Sequence, residues 1–160
     1  MKRVGILVVI VLLAGLLVPI RSFEAPVWTV CVVDETNKPA VGVTVRESYR
    51  NYSAEFRDKE QDLITDQHGC VVFPAKTLWA PLIQRGAAII SSGLNGGVHA
   101  SFGRHVYVFA FADGLEGNAN KNGFVEDWTG SPAVNQSKII LLPTDLKKDA
   151  FEADRKSHNE

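Results

Sequence analysis

At 160 residues with a net charge of −1 and a pI near 6.4, the chain is sized for one domain and carries no strong field of either sign. It lacks the basic surface expected of a nucleic-acid binder and the acidic surface expected of a partner for cations. Charge excludes those classes and names no other.

Lys2 and Arg3 precede an apolar run from Val4 to Ile20, which Arg21, Ser22 and Glu24 end. A charged start, an apolar stretch and a polar exit make a secretory signal or a signal anchor over residues 1–22. As a helix the run reaches about 25 Å, a little short of a hydrocarbon core of roughly 30 Å. The candidate cleavage sites, Ile20-Arg21-Ser22 and Phe23-Glu24-Ala25, both place a bulky residue where a small one is preferred. An uncleaved anchor, with Lys2 and Arg3 on the cytoplasmic side, therefore stands beside a cleaved signal. Either way the expected location is the cell envelope or beyond, with the membrane as a partner through the N-terminal segment. In such a compartment the two cysteines, Cys31 and Cys70, are expected to pair, with two independent thiols as the alternative.

Val27 to Val33 is almost wholly apolar or β-branched and reads as a strand, closed by the polar turn Asp34 to Pro39. Val41, Val43 and Val45 alternate with Gly42, Thr44 and Arg46, predicting a second strand. Glu47 to Gln61 reads as a long polar connection. Leu63-Ile64-Thr65, Asp66-Gln67-His68-Gly69 and Cys70 to Phe73 read as strand, tight turn and strand, ended by Pro74. Thr77 to Gly97 predicts a helical or irregular insertion, with Leu78, Leu82, Ala87, Ala88 and Ile89 along one face after Pro81. His105 to Ala112 is the strongest strand pattern, with Tyr107, Phe109 and Phe111 on one face and Val106, Val108 and Ala110 on the other. Core packing is the expectation for the aromatic face, a ligand surface the alternative. Asp113 to Pro132 reads as a long loop, Lys138 to Leu142 as a last strand, and residues 145–160 as a charged, disordered tail.

These elements predict an all-β fold over residues 26–144, a Greek-key β-sandwich of about six to seven strands, preceded by a hydrophobic helix. The expected core is Val30, Val32, Val43, Val45, Val71, Phe73, Val106, Val108 and Ile140.

Val30 to Asp34, Lys38 to Val45 and Thr65 to Phe73 together resemble the carboxypeptidase regulatory-like and transthyretin-like sandwiches. Those domains open with strand, Asp, turn, Pro and strand, and later carry a Thr-Asp-x-x-Gly-strand hairpin. The resemblance covers residues 28–74. It implies that the first strand and the strand after Gly69 are neighbours in one sheet, which sets Cys31 beside Cys70 on the face away from the core. It does not extend to hydroxyisourate hydrolysis, because the first strand has no histidine and the chain ends Lys156-Ser157-His158-Asn159-Glu160.

No Gly-x-Ser-x-Gly elbow, His-Glu-x-x-His pair, phosphate loop or zinc-spaced cysteine pair occurs. His68, His99 and His105 are read as surface or hydrogen-bonded residues in preference to a metal site. Asn118 to Gly123 echoes half of a calcium loop but lacks the first aspartate and has Thr129 in place of the bidentate glutamate. No catalytic, cofactor-binding or metal residue is assigned. The expectation is a non-catalytic exported or membrane-anchored module with a structural or binding role, its partner an envelope protein or a glycan. The alternative is a ligand-binding protein or enzyme with a site in the 77–132 region.

Overall fold

The structure, a computed structural model, describes residues 2–118, 124–125 and 134–143. Helix α1 (Lys2–Leu17) comes first, its apolar side chains from Val4 onward exposed. No described helix is long and apolar enough to cross a membrane. Eleven strands follow among the described residues, most of them in two facing sheets.

One sheet has the order β10 (Val134–Ile140), β2 (Val27–Val33), β5 (Cys70–Phe73), with β5 antiparallel and β10 parallel to β2. The other has the order β11 (Leu142–Pro143), β8 (Leu115–Asn118), β7 (Arg104–Ala112), β3 (Thr44–Asn51), β4 (Lys59–Ile64), and β9 (Phe124–Val125) also pairs with β7. A separate antiparallel ribbon joins β1 (Pro19–Ala25) to β6 (Lys76–Pro81). Helix α2 (Leu82–Gly96) and a short 3-10 turn (Gly97–His99) lead from the ribbon into β7.

The all-β sandwich is thus present, and its core lies between the two facing sheets. Trp28, Val30, Val32, Val71, Phe73 and Ile139 from one sheet meet Val45, Val106, Val108 and Ala110 from the other, all buried. Each of these valine, isoleucine and phenylalanine side chains contributes roughly 1.5–3 kcal/mol by leaving water. Trp28 can sit fully inside because its Nε1–H donates to Ser137 Oγ at 2.9 Å, leaving no unpaired polar atom on the ring.

Two aspartate turns fix the corner where the chain changes sheets. Asp34 Oδ1 accepts from the N–H groups of Thr36 and Lys38, and Asp66 Oδ1 accepts from those of His68 and Cys70. These bonds favour the ionised carboxylates and hold both below their usual range. Gly69, at φ +73°, fits against Val32: a Cβ there would stand 2.7 Å from the Val32 carbonyl oxygen. Thr65 Oγ1 accepts from Val43 N–H at 2.9 Å and donates to Ala40 O at 2.7 Å. The Thr-Asp-x-x-Gly turn therefore clamps the approach to β3. It joins β4 to β5 across the two sheets and is not a hairpin within one.

Several expectations are corrected. The second strand runs from Thr44 to Asn51, and β4 occupies more of the stretch expected as a polar connection. The pattern was hidden because the inward positions after Val45 are Glu47, Tyr49 and Asn51. The insertion starts as β6, and its helix begins after Pro81 as read, but of the five residues assigned to its packed face only Ala88 is buried within the helix. The long loop contains β8 and β9, and the strand expected over Lys138 to Leu142 runs from Val134 to Ile140, followed by the short β11. Ile140 is 43% exposed; Ile139 and Leu141 take the core positions, a phase that an unbroken apolar run could not reveal. The remaining expected core residues are buried.

Candidate functional site

The alternation of β7 sends Val106, Val108 and Ala110 into the core. Tyr107, Phe109 and Phe111 therefore point outward, the reverse of the core packing expected for them. The rings form a continuous row. Tyr107 and Phe109 stack with centroids 5.9 Å apart and planes 18° apart, and Phe109 and Phe111 are also 5.9 Å apart.

Register places β3 beside this row: Thr44 faces Phe111, Arg46 faces Phe109, Ser48 faces Tyr107 and Arg50 faces His105. Beyond β3, Asp62 of β4 faces Arg46 and Glu60 faces Ser48. The outer face thus has an acidic rail, an arginine rail and an aromatic rail side by side. Arg46 joins all three. Its Nε and Nη2 donate to Asp62 Oδ1 and Oδ2 at 2.7 and 2.8 Å, its Nη1 is 2.9 Å from Glu60, and its guanidinium lies 5.4 Å from the Phe111 ring centre. The bidentate bond to Asp62 raises the Arg46 pKa and lowers that of Asp62.

A cleft of about 490 Å³ opens on this face, lined by Arg46, Phe109, Phe111, Leu115 and Glu116. A smaller one of about 140 Å³ continues the row past Tyr107, with Ser48, Arg50, Tyr52 and His105 in its wall. There the Arg50 guanidinium sits 4.2 Å from the Tyr52 ring centre, and Tyr52 meets the His105 ring edge-on at 4.8 Å. Flat rings with fixed donors and acceptors beside them can hold a molecule that is apolar on its faces and hydroxylated at its rim.

A second constellation lies on the inward side of β3. Glu47 is fully buried and pairs with Lys76, and its other oxygen, Oε1, has no hydrogen-bond partner among the described residues. Lys59 Nζ is 2.9 Å from Glu24 Oε1 and also pairs with Glu55. Tyr49 connects the two groups, its ring lying 4.5 Å from Lys76 Nζ and 5.6 Å from Lys59 Nζ. Burial, reinforced by the neighbouring Glu55, pushes the Glu24 carboxyl up to about 7. Burial also acts to raise Glu55, but hydrogen bonds with Glu24, Lys59 and the Asn51 N–H outweigh it and hold that carboxyl low. The two carboxyls therefore titrate as a coupled pair, with Glu24 raised and Glu55 lowered. Burial raises Glu47 as well, partly offset by Lys76. These groups seal the seam between the β1–β6 ribbon and the larger sheet, and none of the three carboxyls lines the outer clefts.

Cys31 and Cys70 face each other across β2 and β5 and form a disulfide. This is the pairing and the adjacency expected, and such a bond persists in oxidising compartments outside the cytosol. His68 lies in the turn before β5, His99 in the 3-10 turn and His105 on β7. Among the described residues no group of three His, Cys, Asp or Glu side chains is placed to hold a metal ion. The half calcium loop, Thr129 and the charged tail lie outside the described residues, apart from the backbone of Asn118. Sequence reasoning missed Arg46 and the buried carboxyls. The signal was present in the period-two series Val43, Val45, Glu47, Tyr49, Asn51, in which a charge occupies an inward position.

No protein-family profile matches the chain, and no curated protein is similar to it in sequence. Among solved structures it is similar to a 3-chlorocatechol 1,2-dioxygenase from Rhodococcus opacus 1CP, at 14% identity over 78% of this chain and 62% of that one, with a TM-score of 0.42. It is also similar to a chlorocatechol 1,2-dioxygenase from Pseudomonas putida, at 13% identity over 74% of this chain and 60% of that one, with a TM-score of 0.41. The chain spans less than two thirds of either enzyme.

Proposed function

We propose that this protein is a non-catalytic, exported β-sandwich module, tethered to the envelope membrane through its N-terminal helix, whose outer sheet face binds a glycan chain. The observation that carries the reading is the outward row Tyr107, Phe109 and Phe111 beside the arginines of β3. Sugar rings present C–H faces that stack on such aromatics, while their hydroxyls take the donors and acceptors of Arg46 and Glu116. The position of the displaced carboxyls, sealed in the seam and away from the clefts, favours binding over catalysis. The tether rests on the apolar run Val4 to Ile20 and on the oxidising setting that the disulfide requires. The likeness of residues 28–74 to carboxypeptidase regulatory-like and transthyretin-like domains fits an accessory module of this kind.

Titration calorimetry of the full chain in detergent micelles tests the binding face, using neutral, N-acetylated and uronic-acid oligosaccharides. At least one class is expected to bind, and Tyr107→Ala or Phe109→Ala to weaken it by about tenfold, the effect of losing one stacking contact. Equal binding by the variants, or none by the unaltered chain, would refute the reading.

A further inference from the structure

We infer that α2 and the β1–β6 ribbon form a second, membrane-facing surface that rests on the lipid headgroups beside α1. This deepens the tether part of the proposed function and rests on it.

Helix α2 is attached with its polar stripe inward. Gln84, Ala88 and Ser92 recur at four-residue spacing, so they share one face. Gln84 Nε2 donates to Ala54 O at 2.8 Å, Ala88 is buried, and Ser92 Oγ donates to Tyr52 O at 3.0 Å. Arg85 completes the attachment, donating to Ala80 O, Ile20 O and Ser22 Oγ. The apolar residues are left outside: Ile83 is 54% exposed, Ile90 63% and Leu94 81%, and Val98 in the following turn 96%. A helix in water should show the reverse orientation. An apolar face of this kind implies a covering surface.

Its position identifies that surface. Only Val18 separates the end of α1 at Leu17 from the start of β1 at Pro19, and α1 lies against α2. The apolar face is therefore continuous with the exposed apolar helix. On the ribbon, Trp79 is 61% exposed and stands directly opposite exposed Arg21, an aromatic and a cation side by side as at a membrane interface. Charge agrees. All 18 acidic residues of the chain lie within residues 24–66 and 113–160. Residues 1–23 and 67–112, which supply α1, most of β1, and all of β6 and α2, contain none, and Arg21 of β1 is an exposed cation among them. Glu24 of β1 and Glu47, the partner of Lys76, are buried in the seam, so an apolar face whose exposed cation is Arg21 suits a bilayer with anionic headgroups.

The test uses the full chain in vesicles of phosphatidylethanolamine and phosphatidylglycerol containing a lipid brominated near the headgroup. Trp79 fluorescence is expected to be quenched, the quenching to disappear in Trp79→Phe, and to be lost in Ile90→Glu/Leu94→Glu while Trp28 emission stays that of the folded core. Alkaline carbonate extraction of the same vesicles reports on the tether separately. A retained chain whose Trp79 is unquenched, whether monomeric or packed against a second copy, overturns the inference and leaves the tether standing. A released chain with quenched Trp79 keeps the inference and removes the tether. A released chain with unquenched Trp79 removes both.

Discussion

Lys59 of β4 reaches 2.9 Å from Glu24 of β1, and this ion pair fastens the ribbon to the larger sheet. Glu24 is buried while Lys59 is partly exposed, so the two depend on the contact unequally. Removing the lysine would leave a buried carboxyl beside Glu55 with no cation. Lys59→Met is expected to cost about 1–3 kcal/mol, less than a fully buried pair because water still reaches Lys59. Urea unfolding followed by circular dichroism measures it; an unchanged midpoint would show that the pair does not hold the seam.

The same site predicts a pH dependence with a definite sign. The Glu24 carboxyl is raised in the fold from 4.5 to about 7. Its favourable contribution is therefore complete below pH 4.5 and is lost as pH rises through 7. Glu55 is shifted the other way, so its contribution is present above pH 4.5 and is lost as pH falls through its lowered value. Stability should accordingly decline between about pH 5 and pH 8, by at most about 3 kcal/mol from Glu24. Glu24→Gln, which cannot ionise, should flatten that decline. Unfolding curves at intervals across this range decide the matter, and an equal slope in the variant would contradict it.

Two glycines with nearly the same backbone angle should respond differently to alanine. Gly42 has φ +75° with open space around its Cβ position, whereas Gly69 has φ +73° with the Val32 carbonyl oxygen 2.7 Å from that position. Gly42→Ala meets only the left-handed backbone penalty, about 1 kcal/mol. Gly69→Ala must also displace β2 backbone and should cost about 2–4 kcal/mol. Thermal unfolding of both variants compares them directly.

The strands best read from sequence were those whose inward side chains are apolar. β2, β5 and β7 show Val30 and Val32, Val71 and Phe73, and Val106, Val108 and Ala110 at alternate positions, and all are buried. β3 escaped after Val45 because the sheet's inward face becomes polar there and its buried Glu47 is paired by Lys76, which arrives from a distant part of the chain. No local pattern announces a partner 29 residues away, the separation of Glu47 and Lys76. The aromatic row was visible as a row, but alternation alone does not tell which side of a strand meets water. Here the opposing sheet decides it: β2 and β5 supply the filling for the Val106 side, and the rings are left outside.

The disulfide closes a loop between residues 39 apart in sequence. On the chain-entropy account that restricts the unfolded state by about 4 kcal/mol. Cys31→Ser/Cys70→Ser, or reduction of the unaltered chain, should lower stability by that order while the β-sheet signal survives under mild conditions, because the sandwich core does not include either sulfur. Retention of full stability on reduction would show that the bond merely reports the compartment.

Arg46 offers the sharpest separation of binding from folding. Its partners Asp62 and Glu60 are on the exposed face, where ion pairs contribute little to stability because water and salt screen them. The same guanidinium lies over the Phe111 ring and forms part of the wall of the larger cleft. Arg46→Ala should therefore leave the unfolding midpoint nearly unchanged while removing binding of the oligosaccharide class that the unaltered chain takes. Arg46→Lys should restore charge without the bidentate fork to Asp62, and so recover only part of the affinity. Calorimetric titration and thermal unfolding on the same samples separate the outcomes: a large loss of stability in Arg46→Ala would make the residue structural, and undiminished binding would move the ligand off this face.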